Sequence, residues 1–322
     1  MSDLYLIDAN SIIHRCFHAL PPLTTPLGRP SQALYGIANI LLKIIAADKP
    51  RYAAALFDRP EPTFRKAISA EYKANRPKAP DELVSQIIAA HDIFPAFGIP
   101  VFELPGYEAD DLIAEFAKRF GGNPSADGSP TGEVRAVILT GDLDTLQLVN
   151  DGKIVVRVFR KGISETDLYD EAAVMARYGL RPDQLADYKS FVGDQSDNVK
   201  GLPGIGPKTA VALLSRYGTI DGIYAHLKDE PSNLAERLVV GRAALLEARS
   251  LVALSGEVPL KDVPLQDLAV TFDEDQVRDY CASMGFRSLA ARIGAPPKSE
   301  AVKTKTKREP KQKPAASQGS MF

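Results

Sequence analysis

Four apolar runs in this chain, each of strand length, end on acidic residues or lead straight into a helix that begins with them. They are LYLID, ending at Asp8; AAALFD, ending at Asp58; IPVFEL, which leads into GYEADD with Glu108, Asp110 and Asp111; and VILTGDLD, with Asp142 and Asp144. A further pair, Asp194 and Asp197, stands in FVGDQSDN. Up to about residue 160 such runs alternate with helical periodicity, which predicts an α/β fold with a mostly parallel sheet. In an open parallel sheet, ligands gather outside the carboxyl ends of the strands, so acids far apart in sequence can converge there. Together in one pocket these carboxylates would repel one another unless cations were present, which predicts a metal site. All are hard oxygen donors. The four histidines (His14, His18, His91, His226) and two cysteines (Cys16, Cys281) show no metal-ligand spacing, so the expected ions are Mg²⁺ or Mn²⁺ and not Zn²⁺. For any single Asp after a strand, a helix N-cap is the standing alternative.

Composition sets the outer bounds. A chain of 322 residues, 45% hydrophobic, can bury a sizeable core in one large or two modest domains plus tails. Two distant cysteines argue against a disulfide framework and for a reducing compartment. No apolar run approaches a membrane span, and MSDLYLIDAN lacks a basic region followed by an apolar stretch, so a cytoplasmic protein is expected. The net charge of −2 conceals an asymmetry: the stretch from Lys298 onward is basic, and the remainder owes its acidity to the pocket carboxylates.

Helices are predicted over SIIHRCFHAL, SQALYGIANILLKIIA, DELVSQIIAAHDIF and EADDLIAEFAKRF, with Ser11, Ser31 and Asp81 as caps or first-turn residues. Residues 121–133 are turn-rich, and after KIVVRVF the pattern is helical until near Arg292. From Ala295 on there is almost nothing to bury, which predicts a disordered basic tail.

The helical half contains GLPGIGPKTA, residues 201–210. Gly204 and Gly206 permit a tight hairpin, Pro207 suits the first position of a helix, and the free N–H groups of that helix can face an anion. This spacing predicts a helix-hairpin-helix clamp on a nucleic-acid backbone through Gly204, Ile205, Gly206, Lys208 and Thr209, with hairpin carbonyls offering a seat for K⁺. An ordinary Gly-rich turn is the alternative. In TFRKAISAEYKANRP, residues 63–77, helical spacing would put Arg65, Ser69, Tyr72 and Arg76 on one face and Lys66 and Lys73 on another. Such a polar helix suits an element that leans over a metal site; a solvated basic face is the alternative.

In order along the chain, LIDANSIIHRCFHA, FDRPEPTFRKAISAEYKANRP, GYEADDLIA, LTGDLDTLQLV and FVGDQSDNVKGLPGIGPKTA resemble the 5′-3′ exonuclease domain of bacterial DNA polymerase I, within the flap endonuclease superfamily. The resemblance covers roughly residues 1–292. It implies a PIN-like α/β catalytic domain over 1–165 with a helical arch at about 60–80, a helical DNA-binding domain of helix-three-turn-helix type over 166–294, and a tail over 295–322. It assigns metal roles to Asp8, Asp58, Glu108, Asp110, Asp111, Asp142, Asp144, Asp194 and Asp197, and substrate-phosphate roles to Lys73 and Arg76, extending to Arg15, Arg65 and Tyr72. The implied activity is hydrolysis of DNA and RNA-primer phosphodiesters at 5′ flaps and nicks with two Mg²⁺ ions, by a monomer. The polymerase domains have no counterpart, which suggests a free-standing nuclease. The terminal QGSMF resembles the peptide by which bacterial replication proteins dock on the sliding clamp, through Gln318, Met321 and Phe322. A PIN-type ribonuclease would explain the acidic core but not the hairpin clamp; a non-catalytic DNA-binding protein would not need the full carboxylate set.

Overall fold

A computed structural model describes residues 2–122, 133–163, 165–254 and 257–294. The expected tail and its Gln318, Met321 and Phe322 lie outside the described residues, as does most of the 121–133 loop.

Six strands form one sheet: β1 (Ser2–Asp8), β2 (Tyr52–Leu56), β3 (Val101–Phe102), β4 (Val134–Thr140), β5 (Ile154–Lys161) and β6 (Glu165–Tyr169), in the order β3-β2-β1-β4-β5-β6. The first five are parallel. Leu4 stands beside Tyr52 on one side and Ala136 on the other, so the strands that carry Asp8 and Asp58 end side by side. Side chains alternate across a strand, and Leu4 and Leu6 of β1 enter one apolar layer while Tyr5 and Ile7 enter the other. The helices of this region are α1 (Ala9–Ala19), α2 (Gln32–Ala47), α3 (Phe64–Ile68), α4 (Asp81–Ala96) and α5 (Ala109–Phe120). On the Leu4 face α5 contributes Leu112, Ile113 and Phe116; on the Tyr5 face α1, α2 and α4 contribute Ile12, Ile37 and Phe94. Each such side chain, fully buried, stabilises the fold by about 1.5–3 kcal/mol relative to exposure.

Two local expectations are corrected. After KIVVRVF the chain does not turn helical at once: β6 pairs antiparallel with β5, and four of its five residues are exposed. An edge strand with one wet face carries no strong apolar signal. Residues 63–77 are not one helix either. Only Phe64–Ile68 is helical, and Lys73 takes a left-handed backbone at φ 54°. Without an apolar stripe the segment has nothing to hold it helical, and it bonds instead to a distant loop: Lys73 N–H to Asp197 O at 2.9 Å, Asn75 Nδ2 to Gln195 O at 2.8 Å, and Asn198 Nδ2 to Glu71 O at 2.7 Å.

Beyond the sheet come α6 (Glu171–Tyr178), α7 (Leu185–Val192), a two-stranded hairpin of β7 (Gly193–Asp194) and β8 (Val199–Lys200), then α8 (Pro207–Tyr217), α9 (Ile220–Ala225) and α10 (Ser232–Val252). Their apolar residues, among them Val174, Leu185, Leu213 and Leu238, continue the layer under α5. The last two helices, α11 (Glu274–Ser283) and α12 (Arg287–Ala290), return to the opposite layer through Val277, Cys281 and Leu289. That return passes against Gly98, which has φ 71° and accepts from Thr271 N–H at 3.1 Å; a Cβ there would lie 2.3 Å from Thr271 O. Among the described residues, no helix is long and apolar enough to cross a membrane.

Candidate active site

At the carboxyl ends of β1, β2 and β4 the backbone itself positions the acids. Asp8 caps α1, its Oδ1 accepting from Ser11 N–H at 3.0 Å, and its Oδ2 accepts from the Thr140 hydroxyl at 2.5 Å. Thr140 Oγ1 in turn accepts from Asp142 N–H at 2.9 Å, so one hydroxyl ties the ends of β1 and β4 together. Asp58 Oδ1 accepts from Ala109 N–H at 2.7 Å, fixing the start of α5 against the end of β2. Asn10 holds Asp58 from the other side, accepting from its N–H at 3.2 Å.

The carboxylates occupy two adjoining cavities rather than one pocket. A cavity of ≈ 200 Å³ is lined by Asp8, Asp58, Glu108, Asp110 and Asp142, with Lys73 and Arg76 also on its wall. A more open cleft of ≈ 440 Å³ is lined by Asp142, Asp144, Asp194 and Lys189. Asp142 and Ser11 belong to both. In the first cavity, burial and the neighbouring carboxylates push Asp110 well above the usual carboxylate range. Burial likewise raises Asp8 to about 7, although Thr140 and the Ser11 amide act in the other direction. In the second, burial and Asp142 raise Asp144 to about 7 against the pull of Lys189. Burial would raise Asp194 too, but Lys189 and the two Ser196 donors outweigh it and hold that carboxyl at about 2.

Cations of the chain already serve the remaining acids. Lys73 Nζ lies 2.9 Å from Glu108 Oε1, and Arg76 Nη2 lies 2.5 Å from Asp197 Oδ1. The Tyr72 hydroxyl sits 3.0 Å from both Glu108 Oε2 and Asp197 Oδ2, and its ring is buried. Among the described residues, no three His, Cys, Asp or Glu side chains stand at ion-holding positions as they are oriented here.

Four assignments made from the sequence meet a different geometry. Asp111, fully buried, does not line either cavity: Arg65 grips both of its oxygens at 2.6 and 2.8 Å, and its Oδ2 also accepts from Glu108 N–H. Arg65 is therefore a buried strut that further donates to Leu251 O and Ala253 O at the end of α10, and no face of it is open to substrate. Arg15 turns to the C-terminal end of β5, donating to Gly162 O at 3.0 Å and Phe159 O at 2.5 Å, beside a register shift in the β5–β6 pairing. Tyr72, expected to meet substrate, is covered by the two carboxylates it bonds.

Sequence reasoning passed over Lys189 and His14. Lys189, on α7, bonds both Asp144 and Asp194; its only signal was a lysine five residues before Asp194 in KSFVGD. His14 lines the first cavity, and partial burial together with His18 and Arg76 lowers its pKa.

The GLPGIG segment forms the expected hairpin ahead of α8. Gly204 has φ 81°, Ile205 is buried, and Pro207 opens the helix. Gly206 is extended (φ −93°, ψ 179°), so its backbone does not require glycine; a Cβ there would meet nothing within 4 Å, which leaves the helix start open to an approaching ligand. Lys208 is exposed and Thr209 half-buried on the first turn.

Residues 3–179 match the model of the 5′-3′ exonuclease N-terminal resolvase-like domain, and residues 180–276 that of the 5′-3′ exonuclease C-terminal SAM fold. The chain belongs to the 5′-3′ exonuclease family. It is 40% identical to the 5′-3′ exonuclease of Aquifex aeolicus over 69% of its own length and 72% of that protein. It is 38% identical to DNA polymerase I of Caldicellulosiruptor bescii over 90% of its own length, spanning 33% of that longer enzyme. Its fold is that of the T5 5′-exonuclease solved with zinc ions (TM-score 0.62, 18% identity, 90% of this chain and 96% of that one). It is similar also to the catalytic core of Rad2 in complex with DNA substrate (TM-score 0.56, 16% identity, 88% of each chain). The acids at the sheet's carboxyl edge and the glycine hairpin thus belong to an exonuclease fold.

Proposed function

We propose that this exonuclease family member is a structure-specific 5′ nuclease that hydrolyses phosphodiesters at 5′ flaps, nicks and the 5′ ends of RNA primers on duplex DNA. The observation that carries the reading is the cavity where Asp8, Asp58, Glu108, Asp110 and Asp142 face Lys73 and Arg76. Residues 1–165 act as the catalytic domain and 166–294 as the duplex-binding domain.

The donor set fits Mg²⁺ or Mn²⁺, since it is all oxygen and accumulates more negative charge than its buried setting tolerates, as the raised Asp8, Asp110 and Asp144 record. Such ions, when bound, would supply an activated water and stabilise the leaving 3′ oxygen. Asp8, Asp58, Glu108, Asp110 and Asp142 would hold an ion at the first position, and Asp142, Asp144 and Asp194 one at the second. Lys73 and Arg76 exchange Glu108 and Asp197 for the scissile phosphate and neutralise charge there. Asp111 acts through Arg65 rather than as a ligand. The Gly204–Thr209 hairpin grips the duplex backbone through helix N–H groups and Lys208, with K⁺ as a further bridge. The reading places the protein in the cytoplasm as a monomer, with the QGSMF terminus (Gln318, Met321, Phe322) docking on the sliding clamp.

A 5′-flap duplex incubated with the purified protein with and without Mg²⁺ tests the reading. Cleavage is expected only with the ion, leaving 5′ phosphates and 3′ hydroxyls. Asp110→Asn should abolish cleavage while flap binding persists; full activity of that variant would sink the assignment.

A further inference from the structure

The two cavities are neutralised in different ways. Among the described residues, Asp8, Asp58 and Asp110 have no cationic side chain bonded to them; Asp8 bonds Thr140 and a backbone amide, and Asp58 a backbone amide. In the first cavity the chain's own cation Lys73 meets only Glu108, whereas in the second cleft one ammonium bridges two carboxylates. Lys189 Nζ lies 2.8 Å from Asp194 Oδ2 and bonds Asp144 Oδ1 as well, and its side chain is only 20% exposed. These three groups come from three elements: the 3₁₀ turn Asp144–Leu148 after β4, the last turn of α7, and β7.

We propose that Lys189 is a placeholder cation for the second ion position, so that a divalent ion entering between Asp144 and Asp194 displaces its ammonium. Lys189 is then a positioning residue that keeps the two carboxylates together before loading and makes the second ion the weaker of the two. The inference rests on the reading of the cleft as an ion site. The ammonium and a divalent ion compete for the same oxygens. An ammonium is a point charge on a flexible four-carbon stem, it satisfies the same oxygens an ion would need, and both charges cannot sit there without repulsion. The ≈ 440 Å³ cleft, lined also by Ser11, Gly141, Tyr178 and Ser196, gives the displaced ammonium room to swing clear.

The test is Mn²⁺ binding by the whole protein without DNA, followed by the electron paramagnetic resonance signal of the free ion, with thermal melting as a second readout. The wild type is expected to show a tighter and a weaker class of site. Lys189→Met should tighten the weaker class about tenfold or more, a conservative figure for removing a unit charge at contact distance. Lys189→Arg, which keeps the charge, should bind like the wild type. In ion-free buffer Lys189→Met should melt below the wild type, because Asp144 and Asp194 then face each other without a cation, and should gain more in Tm on adding Mn²⁺. An unchanged or weakened second class in Lys189→Met would overturn the placeholder role and leave the ion site standing. A wild type without saturable Mn²⁺ binding would overturn the ion site itself.

Discussion

The guanidinium of Arg65 and the carboxylate of Asp111 meet in a two-pronged ion pair, 2.6 and 2.8 Å long, with the two side chains 1% and 0% exposed. The pair joins α3 to α5, and the other Arg65 donors reach the end of α10, so one side chain connects α3, α5 and the helical half. Removing either partner strands a buried charge. Arg65→Met or Asp111→Leu alone should lose about 3–5 kcal/mol in urea unfolding, whereas the double variant should recover most of it. Arg65→Lys should not rescue, because an ammonium cannot make the paired contact. A single variant within about 1 kcal/mol of wild type would count against the strut.

Lys73 and Lys208 should separate chemistry from grip. Lys73→Ala is expected to lower single-turnover cleavage by about two to three powers of ten with little loss of affinity for flap DNA. Lys208→Ala should mainly weaken duplex binding and reduce the slope of log affinity against log salt by about one. Binding isotherms and quench-flow rates on one substrate distinguish these, and equal effects on binding alone would contradict the division.

Thr140→Val keeps the shape of the side chain but removes the donor to Asp8 and the acceptor for Asp142 N–H. Leaving those two groups unpaired should destabilise the protein by about 1–3 kcal/mol and also weaken Mn²⁺ binding, since both acids lose their orientation. Chemical denaturation and ion titration measure the two effects; unchanged ion affinity would mean that the backbone alone sets the acids.

Three acids with raised pKa values give the ion-free protein a defined pH response. Asp8 and Asp144 move from the usual 3.8 to about 7 and Asp110 moves in the same direction, so the folded state binds more protons than the unfolded chain over that interval. Their contribution to stability is therefore fully present below pH 3.8 and is lost as pH rises toward about 7. Ion binding needs the deprotonated acids and should strengthen over the same range. Melting curves with chelator and with saturating Mg²⁺ should diverge as pH increases; parallel curves would remove these acids from the ion site.

Much of the fold was legible because the parallel strands are long apolar runs and their helices carry clear apolar stripes, as with LYLID and the helix around Ile37. Asp8 and Asp58 stood out as acids at strand ends. What the sequence hid was set by contacts distant along the chain. The segment around Tyr72 and Lys73 takes its shape from Asp197 and Asn198, not from its own periodicity, so helical spacing misplaced Arg65 and Tyr72. Asp111 matches the motif as well as Asp110 does, and only packing shows that one meets Arg65 while the other faces the cavity. Lys189 was unremarked because a helical lysine is ordinarily a solvated surface residue.

The bonds between residues 71–76 and the loop at 195–198 also set a schedule for how the protein comes into being. During synthesis the strands bearing Asp8, Asp58 and Asp142 can pair as soon as they emerge, yet the Lys73 backbone and the Arg76 guanidinium lack their Asp197 partner until the chain has been made past Asn198 and its hairpin has closed. Contacts so distant in sequence form late, after the loop between them has been ordered. A ribosome-bound fragment that ends before Asp194 would therefore carry an acidic pocket whose segment 71–76 is still unanchored, and the wall of that pocket would be completed only by the second half of the chain.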